Sequence, residues 1–325
     1  MRIARLKPAD TSACGPAGTY YHLINRISGQ PGDLPFGDLE KEKLLRMIHR
    51  LCQLYVIQPL SCVAMGNHYH LIVHAPLLPP SQEEAIRRFQ AYYGDKRPLT
   101  EKQARELPEK LRDISQFIKA IQQPFTCWFN RTRPAQRRRG TLWQGRFKSV
   151  ILEPQAVIHC IAYVELNPVR AKIIGNPADY RFGSWCAWEA TGKHPFGKAA
   201  LEHLRACLGP EFKDANSTEL RRHLRGEMAK IIACETGASA AEAIKARNAA
   251  QIDPSSTQQL TRRVRHWSDG LIIGSRLFVM ELAAASRDRL APEHPERIDR
   301  HRLGQLLSAS DTAFFSWRNL QKTPT

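Results

Sequence analysis

The sequence predicts a mixed α+β fold: a ferredoxin-like antiparallel sheet with helices on one face, followed by a mostly helical C-terminal region. Over residues 1–190, short strand-like runs alternate with longer segments of helical periodicity. Their order is strand, helix, strand, strand, helix, strand and a final helix, with one inserted helix, which is the order of a ferredoxin-like sandwich. From about residue 191 onward, apolar residues follow helical spacing instead.

The first half of the predicted sheet lies in residues 18–74. Aromatic and β-branched residues predict a strand over 18–26, and apolar residues at helical spacing predict an amphipathic helix over 39–54. A hairpin follows, because two strand-like runs at 55–65 and 68–74 flank the turn residues Gly66 and Asn67. A second helix is predicted from about 82 to 93.

The second half of the sheet is predicted from residues 113–168. Apolar residues fall on one helical face between Asp113 and Asn130, with Pro124 as an expected kink. An arginine-rich loop at 131–140 then leads into a strand over 141–152. Pro154 suits the first turn of a helix, which we expect to continue to Pro168.

The remaining chain, residues 191–325, is predicted to be helical because apolar residues keep helical spacing over 201–207, 220–232 and 271–285. A polar break with proline and serine lies at 248–259. We therefore divide the chain at residue 190 into an N-terminal domain and a helical region whose role the sequence does not indicate.

The composition favours a polyanionic partner. The chain has 48 Lys and Arg against 31 Asp and Glu in 325 residues, a formal net charge of +17. No apolar run approaches the roughly 20 residues that span a bilayer, and no apolar block follows the charged first residues. These features predict a soluble, cytoplasmic protein without a membrane partner.

A pair of histidines at the start of the second hairpin strand forms a candidate metal site. Alternate residues of a strand point to the same face, so His68 and His70 lie roughly 6.6 Å apart along it and can hold one divalent ion. Tyr69, between them, faces a core on the opposite side. The alternative is two histidines on a half-exposed strand, which is common for an isolated His-x-His pattern.

The helix beginning at Pro154 carries a second candidate group. Tyr163 and Asn167 are four residues apart and project from one helical face. A phenol that attacks a phosphodiester needs a metal to polarise the phosphate, and an amide oxygen one turn away suits that metal's coordination shell. Oxygen and imidazole ligands fit Mg²⁺ or Mn²⁺. The alternatives are a core aromatic residue and a helix-ending residue before Pro168.

Four blocks of sequence together resemble a known family. They are Asn67-His68-Tyr69-His70-Leu71-Ile72-Val73, Trp128-Phe129-Asn130-Arg131, Leu142-Trp143-Gln144-Gly145-Arg146-Phe147-Lys148-Ser149, and Tyr163-Val164-Glu165-Leu166-Asn167-Pro168-Val169-Arg170-Ala171. In this order and spacing, over roughly residues 15–190, they are similar to the REP-associated tyrosine transposases. That family belongs to the single-tyrosine, His-hydrophobic-His (HUH) superfamily of single-strand DNA nucleases.

The resemblance implies a HUH nuclease core in residues 1–190, with His68 and His70 as metal ligands and Asn167 in the place of the third. Tyr163 takes the place of the nucleophile. Members of the family cleave and rejoin single-stranded DNA near REP hairpins through a 5′-phosphotyrosine and a free 3′-hydroxyl. The residue between the histidines is Tyr69, where an aliphatic residue is common. Whether the protein is a monomer or a homodimer that exchanges its tyrosine helix stays open.

We expect the DNA contacts to come from basic residues interleaved with aromatic ones, a mixture that binds phosphates and stacks on unpaired bases. The predicted contacts are Arg131, Arg133, Arg137, Arg138, Arg139, Trp143, Arg146, Lys148 and Arg170. The alternatives for the protein as a whole are a non-catalytic nucleic-acid-binding module and a replication-initiator or relaxase-like nuclease. The absence of a Gly-rich phosphate loop in the sequence disfavours the latter.

Overall fold

A seven-stranded sheet organises the fold, in the order β2-β3-β1-β4-β5-β7-β6. The structure is a computed structural model that describes residues 17–30, 32–94, 97–133, 141–236, 266–290, 301–305 and 314–319. All neighbouring strands pair antiparallel except β4 and β5, which are parallel. The strands are β1 Gly18–Arg26, β2 Gln58–Ala64, β3 His68–Pro76, β4 Lys148–Leu152, β5 Gly270–Gly274, β6 His301–Gln305 and β7 Phe315–Asn319.

Eleven α-helices lie in the described residues and confirm the mixed α+β class. They are α1 Asp38–Leu51, α2 Gln82–Tyr93, α3 Glu101–Arg112, α4 Ile114–Thr132, α5 Pro154–Glu165, α6 Asn167–Arg170, α7 Ser184–Thr191, α8 Gly197–Leu208, α9 Ser217–Thr236, α10 His266–Asp269 and α11 Arg276–Leu290. None of the helices in this described part of the chain is both long and apolar enough to cross a membrane.

The helix α3 was not predicted, although its local signal is present in the sequence. Thr100 and Gln103 form a capping box, in which Thr100 Oγ1 accepts from the Gln103 amide at 3.3 Å and Gln103 Oε1 accepts from the Thr100 amide at 3.0 Å. Pro108 lies inside this helix, so the sequence presents a start signal and a helix breaker within one short segment.

The two faces of the sheet have different chemistry, which follows from the alternation of side chains along β3. Tyr69, Leu71 and Val73 are completely buried on one face, as predicted. The Tyr69 hydroxyl accepts a hydrogen bond from Gln122 Nε2 of α4 at 2.9 Å, so α4 packs on this face. His68 and His70 point to the opposite face, where α5 lies.

Helices therefore pack on both faces of the sheet, and the prediction of helices on one face is wrong. The apolar pattern of α4 and α5 requires burial against a partner but does not specify which side of a sheet supplies it. Whether the first four strands constitute a ferredoxin-like unit stays a prediction.

The C-terminal region is not only helical, since β5, β6 and β7 extend the sheet beyond β4. Ile151 and Leu152 of β4 pair in parallel with Ile272 and Ile273 of β5, and both β5 isoleucines are buried. The predicted helical segment 271–285 thus begins as a strand and becomes helical only in α11. The sheet continues across the predicted boundary at residue 190.

Candidate active site

The two histidines of β3 lie side by side at the start of the strand. The ring centres of His68 and His70 are 5.0 Å apart and their planes cross at 82°. Two imidazoles that share one ion, with metal–nitrogen distances of about 2.1 Å and an angle of about 90–110° at the ion, have ring centres about 4.5–5.2 Å apart. The observed separation fits a pair of ligands to one cation.

The hydrogen bond of His68 leaves its outer nitrogen available. Asn67 Nδ2 donates to the carbonyl oxygen of Asp33 at 3.1 Å, so Asn67 Oδ1 faces His68 Nδ1 at 2.7 Å and accepts from it. A neutral imidazole that donates from Nδ1 has its lone pair on Nε2. The side chain of Asn67, in the turn before β3, therefore leaves the lone pair of His68 Nε2 available to bind a metal ion.

A third histidine, His22 of β1, joins this pair. His22 Nε2 lies 2.9 Å from His70 Nδ1, and His22 Nδ1 lies 2.9 Å from the carbonyl oxygen of Trp267 in α10. His22 is fully buried, and its ring lies nearly parallel to that of His70, at 23°, with a centre distance of 5.0 Å. Sequence reasoning missed His22, because its partner Trp267 is 245 residues away.

Burial keeps all three imidazoles neutral near pH 7. It lowers the pKa of His22 to about 4, against a smaller opposing effect of the hydrogen bond to the Trp267 carbonyl. Burial and the nearby Arg26 lower the pKa of His68 to about 4. The pKa of His70 is lowered well below its usual value by burial first and by neighbouring His68, His22 and Arg170 second. Neutral imidazoles are the form that binds metal ions.

Tyr163 of α5 lies against the histidines, within one chain. Its ring centre is 6.0 Å from that of His70 and 6.2 Å from that of His22, with edge-to-face geometry in both pairs. The side chain is 6% exposed, and the Trp267 ring stacks on it at a centre distance of 6.0 Å. Burial raises the pKa of Tyr163 to about 12, opposed by Arg170 and by hydrogen bonds with Asn167 and Ser268.

Arg170 stands beside Tyr163 and not on the protein surface. Its guanidinium lies 4.7 Å from the centre of the Tyr163 ring, and Nη1 donates to the Tyr163 carbonyl at 2.7 Å. The residue is 8% exposed. The short helix α6 folds Arg170 back onto α5, and its predicted contact with DNA stays a prediction.

Asn167 contacts the tyrosine segment. Its Nδ2 donates to the carbonyl oxygens of Tyr163 at 3.1 Å and Val164 at 3.2 Å, which directs Oδ1 away from these carbonyls. The predicted single helix up to Pro168 ends earlier, at Glu165, and Asn167 opens the separate helix α6. Pro168 has no backbone N–H to donate to the Val164 carbonyl, and Asn167 Nδ2 donates to that carbonyl instead, which accounts for the break.

A cation at this site needs ligands beyond the two histidines. No group of three His, Cys, Asp or Glu side chains in the described residues could hold a metal ion. Beside two imidazole Nε2 atoms, a cation here would take oxygen ligands such as the predicted amide oxygen of Asn167, water or a substrate oxygen. Hard divalent ions that keep part of their hydration shell, such as Mg²⁺ and Mn²⁺, fit this set.

Two cations lie on the histidine face of the sheet. Residues paired directly across strands point to one face, so the pairing of Arg26 with His68, and of Ile24 with both His70 and Lys148, places Arg26 and Lys148 on that face. Both are exposed. Sequence reasoning assigned no role to Arg26.

The other residues that were predicted to contact DNA differ in their exposure. Arg131 and Arg146 are exposed, whereas Arg133 is paired with the buried carboxylate of Glu40. Arg137, Arg138 and Arg139 lie outside the described residues.

Trp143 belongs to the core, which corrects its prediction as a base-stacking residue. The side chain is 6% exposed, and its Nε1 donates to Thr126 Oγ1 at 3.0 Å. The ring packs edge-on against Tyr69 and Phe36, with centre distances of 5.7 and 6.0 Å. Because the side chain is almost completely buried, it has no face available for a nucleobase.

The described fold and site define an α+β protein with a buried histidine–tyrosine cluster and cations beside it. Among solved structures, the chain is similar to a REP-associated tyrosine transposase bound to a REP hairpin, with 16% sequence identity and a TM-score of 0.36. The similarity covers 61% of this chain and 89% of that one. No protein-family model and no curated protein matches the sequence.

Proposed function

We propose that the protein is a metal-dependent, transposase-like endonuclease and strand transferase for single-stranded DNA that acts near REP-type hairpins. The observation that carries this proposal is the convergence of Tyr163 with His70 and Arg170 in one chain. In tyrosine-dependent cleavage of a phosphodiester, a phenol can act as nucleophile, an imidazole pair can hold a cation and a guanidinium can offset charge at the phosphate. The four sequence blocks that resemble the REP-associated family contain these residues.

In this proposal His68 and His70, together with Asn167, hold Mg²⁺ or Mn²⁺, which supplies Lewis-acid polarisation of the scissile phosphate. The Tyr163 oxygen attacks phosphorus, the bond from phosphorus to the 3′ oxygen breaks, and the 3′-hydroxyl leaves with a proton. The 5′ phosphate stays on Tyr163. Rejoining is the reverse attack of a 3′-hydroxyl on the phosphotyrosine, and it needs no nucleotide cofactor because the phosphodiester energy is conserved.

The positions of several positively charged side chains support DNA as the substrate. Arg170 lies where it can offset negative charge that develops at the phosphate next to Tyr163, which is the most effective place for a fixed cation. Arg26 and Lys148, on the histidine face, are suited to the backbone of the bound strand. The net charge of +17 favours a polyanion in general.

The architecture supports a catalytic core built from residues 1–190. The order β2-β3-β1-β4 of its antiparallel strands is that of a ferredoxin-like sheet. Tyr163 and His70 approach each other within one chain, so this arrangement of the site does not depend on exchange of the tyrosine helix between two protomers. We propose a cytoplasmic protein on the same grounds as the sequence expectation.

A second candidate function is a DNA-binding module without cleavage. The burial of Tyr163 under the Trp267 ring favours it, because a phosphate reaches the hydroxyl only if this cover shifts. The two candidates share the basic residues and differ in whether the tyrosine becomes covalently attached to DNA.

The test is incubation of the full-length protein with an end-labelled, REP-like hairpin oligonucleotide and Mn²⁺. The proposal predicts a cleaved strand and a covalent protein–DNA band, both lost in Tyr163→Phe, and loss of cleavage with retained, salt-sensitive binding in His68→Ala. Tyr93→Phe, a change of an exposed tyrosine on α2, is the matched control and keeps full cleavage. Hairpin binding by the wild type without any cleavage would establish the binding module instead.

A further inference from the structure

We propose that His22 is a positioning residue of the cation site, which holds the proton of His70 on Nδ1 and leaves the Nε2 lone pair of His70 for the ion. This inference rests on the proposed function and adds a residue to it. It also makes the C-terminal region part of the site, because His22 is itself oriented by the carbonyl oxygen of Trp267.

The hydrogen bonds from Trp267 to His70 have only one possible direction when His22 is neutral. A carbonyl oxygen carries no proton, so His22 Nδ1 is the donor in the 2.9 Å contact with Trp267. The lone pair of neutral His22 is then on Nε2. In the 2.9 Å contact between the two rings, His70 Nδ1 is therefore the donor and His22 Nε2 the acceptor. The lone pair of neutral His70 is consequently on Nε2.

A separate chain of hydrogen bonds orients the neighbouring histidine, His68, in the same way. There the Asp33 carbonyl orients the Asn67 amide, and the Asn67 amide oxygen holds the proton of His68 on Nδ1. Two separate hydrogen-bond chains, each beginning at a backbone carbonyl, thus end with an unprotonated Nε2 on adjacent rings whose centres are 5.0 Å apart. Metal-bound histidines in proteins usually donate their other ring nitrogen to such a fixed acceptor, which sets the tautomer and the ring orientation.

The position of His22 supports a role beyond filling space. The side chain is fully buried, and an apolar residue of the same shape would avoid the cost of burying two polar nitrogens. Each of its two nitrogens has one partner, and both partners belong to the site. Burying a polar ring here is understandable if its acceptor nitrogen is needed to fix His70.

The direct test uses protein labelled with ¹⁵N in histidine, at pH 7 and without any divalent ion. Long-range ¹H–¹⁵N NMR distinguishes the two neutral tautomers, and spectra of His22→Phe and His70→Ala assign the signals. We expect His22 and His70 both to carry the proton on Nδ1. A wild-type His70 with the proton on Nε2 would overturn the inference, whatever the protein does to DNA.

The second test measures Mn²⁺ affinity by calorimetry in the wild type, His22→Gln and His22→Phe. Loss of an outer hydrogen-bond partner weakens metal binding about 10–100-fold, which we expect for the phenylalanine variant. Glutamine can donate to the Trp267 carbonyl and accept from His70, so affinity within about threefold of wild type is expected. His74→Phe, a change of another buried histidine on the same sheet, is the control and keeps the wild-type affinity.

The outcomes separate the two proposals. Equal Mn²⁺ affinity in the wild type and a folded His22→Phe would overturn the positioning role and leave the proposed function standing. A wild-type protein that binds no Mn²⁺ would overturn the proposed metal dependence and the positioning role together. If His22→Phe does not fold, the wild-type tautomer and the affinity of His22→Gln decide the question, because a glutamine variant weakened more than tenfold contradicts the inference.

Discussion

Replacing Arg170 tests whether a buried cation beside Tyr163 serves the chemistry or only the fold. Arg170→Met keeps most of the side-chain volume and removes the charge. The hydrogen bond to the Tyr163 carbonyl disappears, but Asn167 still donates to the same oxygen at 3.1 Å, so no carbonyl is left without a partner. A hydrogen bond from a charged group contributes about 1.5–3 kcal/mol, and we expect a loss of that order in the free energy of unfolding.

The expected kinetic effect is larger than the stability effect. A fixed donor aimed at developing charge contributes a factor of about 10²–10³ to the rate, so single-turnover cleavage by folded Arg170→Met should fall by that factor. Arg170→Lys keeps the charge and should retain more of the rate than the methionine variant.

The assay is rapid-quench cleavage of a hairpin oligonucleotide at saturating protein, with binding measured separately by fluorescence anisotropy. The control Arg146→Met removes an exposed cation of the segment before β4, which should weaken binding without changing the rate at saturation. Cleavage by Arg170→Met at the wild-type rate under saturating conditions would show that Arg170 has no role at the phosphate.

Three further predictions concern other parts of the chain. Trp143→Ala should lower the free energy of unfolding in urea by about 3–5 kcal/mol because it removes a buried ring. The affinity of the folded variant for the hairpin should stay unchanged, and a loss of affinity without a loss of stability would show that Trp143 contacts DNA. Arg26→Gln and Lys148→Gln should each reduce the slope of log affinity against log salt concentration by about 1. An unchanged slope would show that the replaced residue does not contact a DNA phosphate. Burial lowers the pKa of His194 to about 4 from 6.5, so stability present above pH 6.5 is lost as the pH falls toward 4. His194→Gln should reduce this loss by on the order of 2–3 kcal/mol. The same loss of stability between pH 7.5 and pH 4 in the wild type and the variant, measured in urea, would contradict this prediction.

Elements that carry a clear local sequence pattern could be predicted from that pattern alone. The alternation through Tyr69, Leu71 and Val73 predicted one core-facing side of β3, and these residues are buried there. The helix at 82–93 has the predicted bounds, and its start at Ser81 is fixed by a side-chain cap, with the hydroxyl accepting from the Glu84 amide. Such signals act within a few residues and need no tertiary partner.

The features that sequence reasoning missed depend on distant parts of the chain. The strand β5 is short, and its apolar residues merge in the sequence with those of α11, so periodicity alone could not separate them. His22 is one residue in a predicted strand, and only its contact with Trp267 distinguishes it. Arg170 lies within a recognisable block, but its contact with the Tyr163 ring becomes evident only in the folded chain.

The position of the cation can be located by a single measurement. Crystals of the full-length protein grown with Mn²⁺ give an anomalous difference map that locates the ion independently of any assumption about its ligands. We expect one strong peak about 2.0–2.3 Å from Nε2 of both His68 and His70, on the side that faces Tyr163. Ordered density for both rings with no peak between them, or with the peak held by other residues, would contradict it.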